Sequence, residues 1–208
     1  MTERGRPAPR RLRGQLHLQP GALPARAFAL DEAGCHVWQP ISPVARVQVA
    51  FDTPGLSWQG EAYLDANQGE RPLARDFDRW HWQRSTLPGR RSQLLYEVSP
   101  RQPGADARPH ALALLMDANG QISPLPLPPR QVLASSGWGL ARASRGQATP
   151  ALLATLESGP FYCRSLLRDA DSGALCMHES LSLQRFERPW VQALLPFRMP
   201  RRGGWGDR

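Results

Sequence analysis

The sequence predicts an all-β protein, a sandwich or barrel of short antiparallel strands. Two observations carry that expectation. Proline (21) and glycine (18) recur along all 208 residues and leave little room for long helices. Between these breakers lie short segments in which apolar and polar residues alternate with a period of two, the pattern of half-buried strands.

Taken in order, the predicted strands are Ala27–Leu30, His36–Ile41, Ala45–Phe51 and Trp58–Asn67, the second and third parted by Ser42-Pro43-Val44. Phe77–Ser85, Ser92–Ser99 and Ala111–Met116 follow, then Gly137–Arg142, Leu152–Leu156, Phe161–Arg168 and Ala174–Arg185. Pro189–Leu195 competes as a helix but is too short to change the class. Pro100–Pro109 reads as a loop, and Ser123–Arg130, with Pro124, Pro126, Pro128 and Pro129, as polyproline-like extension.

Composition sets outer bounds. Hydrophobic residues make up 41% and charged residues 21%, an ordinary folded profile long enough for a real core. All 26 basic residues are Arg, and Ile occurs only at Ile41 and Ile122, a bias that fits a GC-rich bacterial genome. The +8 formal charge is therefore weak evidence of function. Arg clusters at both ends (Arg4, Arg6, Arg10, Arg11, Arg13; Arg198, Arg201, Arg202, Arg208), which reads as solvated tails or a membrane-surface patch. No nucleic-acid recognition motif accompanies it. Cys35, Cys163 and Cys176 are odd in number and lack CxxC spacing, which argues against a disulfide framework and fits a reducing cytoplasm. No apolar run approaches a membrane span, and the basic start lacks the apolar core of a signal peptide.

The most informative run is Tyr63-Leu64-Asp65-Ala66-Asn67-Gln68-Gly69, followed by Trp80-His81-Trp82-Gln83-Arg84. On a strand, Tyr63, Asp65, Asn67 and Gly69 share one face. A phenol, a carboxylate and a carboxamide there line water or a working site, because an apolar interior would leave them unpartnered. Residue by residue, blander roles compete. Asp65 could serve only as a hydrogen-bond acceptor, Tyr63 and Trp38 as core aromatics, and His36 as a structural histidine. Trp80 and Trp82 point to core or ligand and His81 away. Glu157, Arg164, His178, Glu179 and Arg198 read as a buried polar network, and His178-Glu179 lacks the second His of a HExxH zinc site, so no metal is expected.

Three further blocks complete the pattern: Thr155–Ser165, Met177–Phe186 and Pro196-Phe197-Arg198-Met199-Pro200-Arg201. With the two runs above, they resemble the carotenoid 1,2-hydratase family, also called hydroxyneurosporene synthase, from about Phe28 to Arg201. Arg71, Ala74 and Ser158 depart from the family's acidic positions. The resemblance implies a lipocalin-like barrel or sandwich over residues 26–200. It makes 1–25 a linker or the remnant of a further N-terminal β-rich half, and 201–208 a disordered tail. It also implies cofactor-free addition of water across the terminal C1–C2 double bond of an acyclic carotenoid, a hydro-lyase reaction. The matching site positions are His36, Trp38, Tyr63 and Asp65. Asp65 would be the acid, the two aromatics would face the carbocation, and His36 or ionised Asp65 would take the proton from water. Expected partners are the carotenoid, water and an anionic membrane surface, with no nucleic acid; the expected location is the cytoplasm, peripheral on the inner membrane. A non-catalytic lipocalin-like binder of a hydrophobic ligand is the competing expectation.

Overall fold

Prolines 40 and 43 look like strand breakers, yet the chain runs through both as one strand, β4 (His36–Thr53). A computed structural model of the chain describes residues 2–4, 11–101 and 109–197, and in it the pairing of β4 with β5 (Leu56–Gly69) slips between Pro40 and Ser42 and again between Ser42 and Ala45. These bulges absorb residues that lack an N–H, so the two predicted strands fuse. The opposite edge of β4 is shared. β2 (Arg11–Pro20) pairs with Ala45–Thr53, β3 (Phe28–Ala29) pairs with Val37 and Trp38, and β1 (Thr2–Arg4) lies outside β2. Part of the segment read as linker or remnant is thus a strand of this first sheet. The 201–208 tail, Arg198 and most of the 100–109 loop lie outside the described residues.

The second sheet has seven antiparallel strands. They are β6 (Phe77–Leu87), β7 (Arg91–Pro100), β8 (His110–Met116), β9 (Ile122–Pro124), β12 (Ala151–Ser158), β13 (Tyr162–Arg168) and β14 (Leu175–Ser182), in the order β12-β13-β14-β6-β7-β8-β9. A hairpin of β10 (Arg130–Leu133) and β11 (Arg142–Arg145) packs behind it. The strand expected at Gly137–Arg142 begins only at Arg142. Before it, Ser136 Oγ accepts from the Trp138 and Leu140 N–H groups and holds a turn. The strand expected at Ala174–Arg185 ends at Ser182, whose hydroxyl caps the short helix α2 (Leu183–Phe186). Helix α1 spans Leu73–Asp76, and α3 spans Pro189–Leu194, close to the predicted helix.

The two sheets stack front to front as an all-β sandwich. Trp38 and Phe28 of the first meet Trp82, Leu94, Tyr96 and Val98 of the second in one core. Among the described residues the sheets do not close into a barrel. Strand alternation gives the seven-stranded sheet two different faces. Trp82, Tyr96 and Glu179 lie at mutually paired positions on the front, while His81, Glu97, His178 and Ser180 lie on the back. Among the described residues no helix is long and apolar enough to cross a membrane.

Candidate active site

Asp65 sits where the two sheets face each other, opposite Pro40 in the β4–β5 ladder. Trp38 is two residues away along β4 and fully buried, and its indole runs diagonally to donate from Nε1 to Asp65 Oδ2 at 2.7 Å. Tyr63, on the same face of β5 as Asp65, donates its hydroxyl to the same oxygen at 3.1 Å. Both donors therefore converge on Oδ2, and a proton on this carboxyl belongs on Oδ1. A second ring layer backs the first. Trp82 packs 4.9 Å from Tyr63 and Tyr96 packs 5.2 Å from Trp38, centroid to centroid. Tyr96 also donates to Asn67 Oδ1 at 3.0 Å, which gives that residue of the sequence run its role.

This surrounding changes the acid. Burial pushes the Asp65 carboxyl above the usual carboxylate range, against the two donor hydrogen bonds, and the Glu179 charge adds to the rise. The Tyr63 phenol is pushed far above its usual range, first by burial and then by the Asp65 charge, so it remains a donor. The buried Trp82 indole N–H approaches the Tyr63 hydroxyl and works against that rise.

Three of the four expected site residues thus converge; His36 does not join them. It lies on the same face of β4 but opposite Gly69, four strand positions from the level of Asp65, a backbone separation of about 13 Å. Its Nε2 meets Asp76 Oδ2 at 2.6 Å, and Arg71 Nε reaches the same oxygen at 2.6 Å. The hydrogen bonds from Arg71 and then His36 hold the Asp76 carboxyl below the usual range, so His36 is the donor from Nε2. Gly69 is glycine for a steric reason, since a Cβ there would stand 2.5 Å from His36 Nδ1.

The polar network read from the sequence is split by strand alternation. His178 faces the back and bonds Ala143 O, whereas Glu179 faces the front, paired with Arg164 Nε at 2.9 Å. Glu179 and Tyr96 were not among the expected site residues. A lone aromatic in a strand carries no signal beyond core, and a Glu next to a His hides which of the two faces the site.

A cleft of about 330 Å³ is lined by Glu61, Arg84, Thr86, Leu166, Leu175 and Met177, with Asp65, Trp38 and Tyr63 outside its lining. Of these, Arg84 has Cζ 5.7 Å from the Tyr63 ring centroid and Nε bonded to Pro43 O at 2.8 Å. The void on the back face, about 10 Å³ beside His81 and His178, has room for no organic ligand. Among the described residues no group of three or more His, Cys, Asp or Glu is arranged to hold a metal ion.

Comparison with known proteins shows the family of the chain. The family model "Carotenoid hydratase CrtC" matches residues 1–208. The chain belongs to the CrtC carotenoid hydratase family. It is 45% identical over 203 residues to the acyclic carotenoid 1,2-hydratase of Thiocapsa roseopersicina, covering 95% of this chain and 49% of that protein. The corresponding protein of Rubrivivax gelatinosus is 38% identical over 204 residues, 96% of this chain and 49% of its own length. That of Rhodobacter capsulatus is 34% identical over 200 residues, covering 94% and 69% respectively. The chain therefore spans about half the length of the first two relatives.

Proposed function

We propose that this chain carries the reaction centre of an acyclic carotenoid 1,2-hydratase, a hydro-lyase that adds water across the terminal C1–C2 double bond. The observation that supports it best is a single desolvated carboxyl, Asp65, held by an indole and a phenol and walled by further aromatic rings. Protonation of a trisubstituted alkene needs an acid that still carries its proton near neutrality, and burial moves Asp65 in that direction.

The Oδ1–H of Asp65 delivers its proton to C2, consuming the π pair in a new C–H bond and leaving a tertiary cation at C1. The faces of Tyr63 and Trp38 stabilise that cation, by about 2 kcal/mol or more once water is excluded. Water bonds to C1 and loses a proton to the Asp65 carboxylate, which restores the acid and needs no cofactor. His36, tied to Asp76, orients the strand end rather than taking the proton.

An acyclic carotenoid is much longer than the cleft, so only its reacting end enters, past Arg84, while the polyene stays outside in a membrane. The net positive charge of the chain favours an anionic cytoplasmic surface. Flotation with anionic liposomes at low and high salt checks this, and binding indifferent to both lipid charge and salt removes the electrostatic part.

The reaction is tested with lycopene or neurosporene in deuterated water. The wild type places deuterium at C2 and hydroxyl at C1, and Asp65→Asn, which keeps the shape but carries no acid, loses at least about a hundredfold in rate. Near-normal hydration by Asp65→Asn overturns the assignment. Binding of the carotenoid without conversion by the wild type favours the carrier alternative.

A further inference from the structure

We infer that Glu179 is a second functional carboxylate of this site, a positioning residue on the front of the opposite sheet, next to the ring that packs on Tyr63, that acts on Asp65 through its charge. The inference rests on the hydratase reading above and deepens it.

The geometry is a short chain of contacts. Glu179 is the cross-strand neighbour of Trp82 on the front of the seven-stranded sheet. Trp82 packs on Tyr63, and Tyr63 bonds Asp65, so the Trp82 and Tyr63 rings link the two carboxyl groups. Glu179 is itself tethered. Arg164 Nε donates to its Oε1 at 2.9 Å and reaches the Tyr162 hydroxyl at 3.0 Å, which fixes where the charge stands. The two carboxyl groups have unlike surroundings. Asp65 has only neutral donors, an indole and a phenol, whereas Glu179 has a guanidinium. Paired carboxyl groups with such unlike partners divide the work, one keeping its proton and the other its charge. The direction found at Asp65, raised in part by Glu179, agrees with this division, and the Tyr96 phenol feels both charges.

Other ionisable groups bear on the pocket and must be held constant. They are Glu61 and Tyr63 on β5, Arg84 on β6, Tyr96 on β7, Glu157 on β12, and Tyr162 with Arg164 on β13. Of these, Arg164 is ion-paired with Glu179, and the Tyr162 hydroxyl also bonds it. An ionised Glu179 does two things in the reaction. It disfavours premature loss of the Asp65 proton, and it offsets the positive charge that develops at C1.

The test titrates Asp65 directly, by carbon NMR of protein labelled at the aspartate carboxyl, with the Asp65→Asn spectrum identifying its signal. Glu179→Gln lowers the Asp65 midpoint by about one pH unit, and the alkaline fall of the hydration rate moves down with it. Arg164→Gln, at a half-exposed position, moves both the other way because Glu179 is left unneutralised. It serves as the second variant if Glu179→Gln folds poorly. An Asp65 midpoint unmoved in folded Glu179→Gln, or moved the same way by both variants, overturns the inference. The midpoint is read without substrate. If it moves as described while the wild type hydrates nothing, the coupling stands and the hydratase reading falls. A midpoint that moves while the rate profile of an active enzyme stays put overturns the role in the reaction.

Discussion

The two faces of the seven-stranded sheet are built from the same strands and do opposite things with buried ionisable groups. On the front, Asp65 is desolvated and its carboxyl is raised above the usual carboxylate range, which favours the protonated form. On the back, His81 and His178 are desolvated and fall to about 3 and about 4, so both rings stay neutral in a sealed layer. Burial favours the uncharged form in each case. A neutral carboxylic acid has a proton to give, whereas a neutral imidazole stacked 6.4 Å from another under the β10–β11 hairpin is structural. Desolvation alone therefore does not mark a working group. What sets Asp65 apart is the pair of donors that converge on one of its oxygens.

The comparison breaks most sharply at Glu97, which is 4% exposed and pairs with Arg145 at 2.5 Å and Arg130 at 3.1 Å on the back face. Glu97→Ala strands Arg145 without a counter-charge and lowers stability by about 3–4 kcal/mol in urea denaturation. No front-face substitution at Tyr63 or Trp38 that keeps a ring should approach this.

Acid sharpens it further. His81 and His178 have folded values below their unfolded value near 6.5. The unfolded chain then binds more protons across that interval, so stability is complete above about pH 6.5 and is lost as pH falls toward 4 and 3. His178→Gln removes part of that slope, on the order of 2–3 kcal/mol at its full extent, in denaturation midpoints taken across pH. Asp65→Asn leaves this acid limb in place, because a raised Asp65 contributes with the opposite sign: its stability is present at low pH and is lost as pH rises through the folded value.

Smaller effects separate the front-face donors. Trp38→Phe keeps a ring but removes the 2.7 Å donor that favours ionised Asp65. Hydration slows by about tenfold, and its alkaline fall moves to higher pH, read from the rate profile. Tyr63→Phe, which loses the longer 3.1 Å bond, changes both in the same direction by about threefold or less. His36→Gln is the smallest: it retains a donor toward Asp76, and the maximal rate stays within about twofold. A severe loss there would return His36 to the chemistry.

Much of this was legible in the sequence because strand alternation is a local rule. Period two placed Trp80 and Trp82 apart from His81, and it put Tyr63, Asp65 and Asn67 on one face. The bulges at Pro40 and Pro43 were not legible, since a proline marks a missing donor but not whether the chain turns or slips register there. Nor was the strand β2, whose long alternation sits in an Arg-rich stretch that reads as solvated.

The sequence by itself determined the all-β class, the family and the shared faces of Trp38 with His36 and of Tyr63 with Asp65, because these depend on neighbours along one strand. Only the tertiary structure decided which of those residues work together. Asp65 gains Trp38 through a diagonal across β4 and β5, His36 is drawn away to Asp76 at the end of α1, and Glu179 stands beside Trp82 on the opposite sheet. Those partners are set by register and by the stacking of two sheets, which bring together side chains that are distant along the chain.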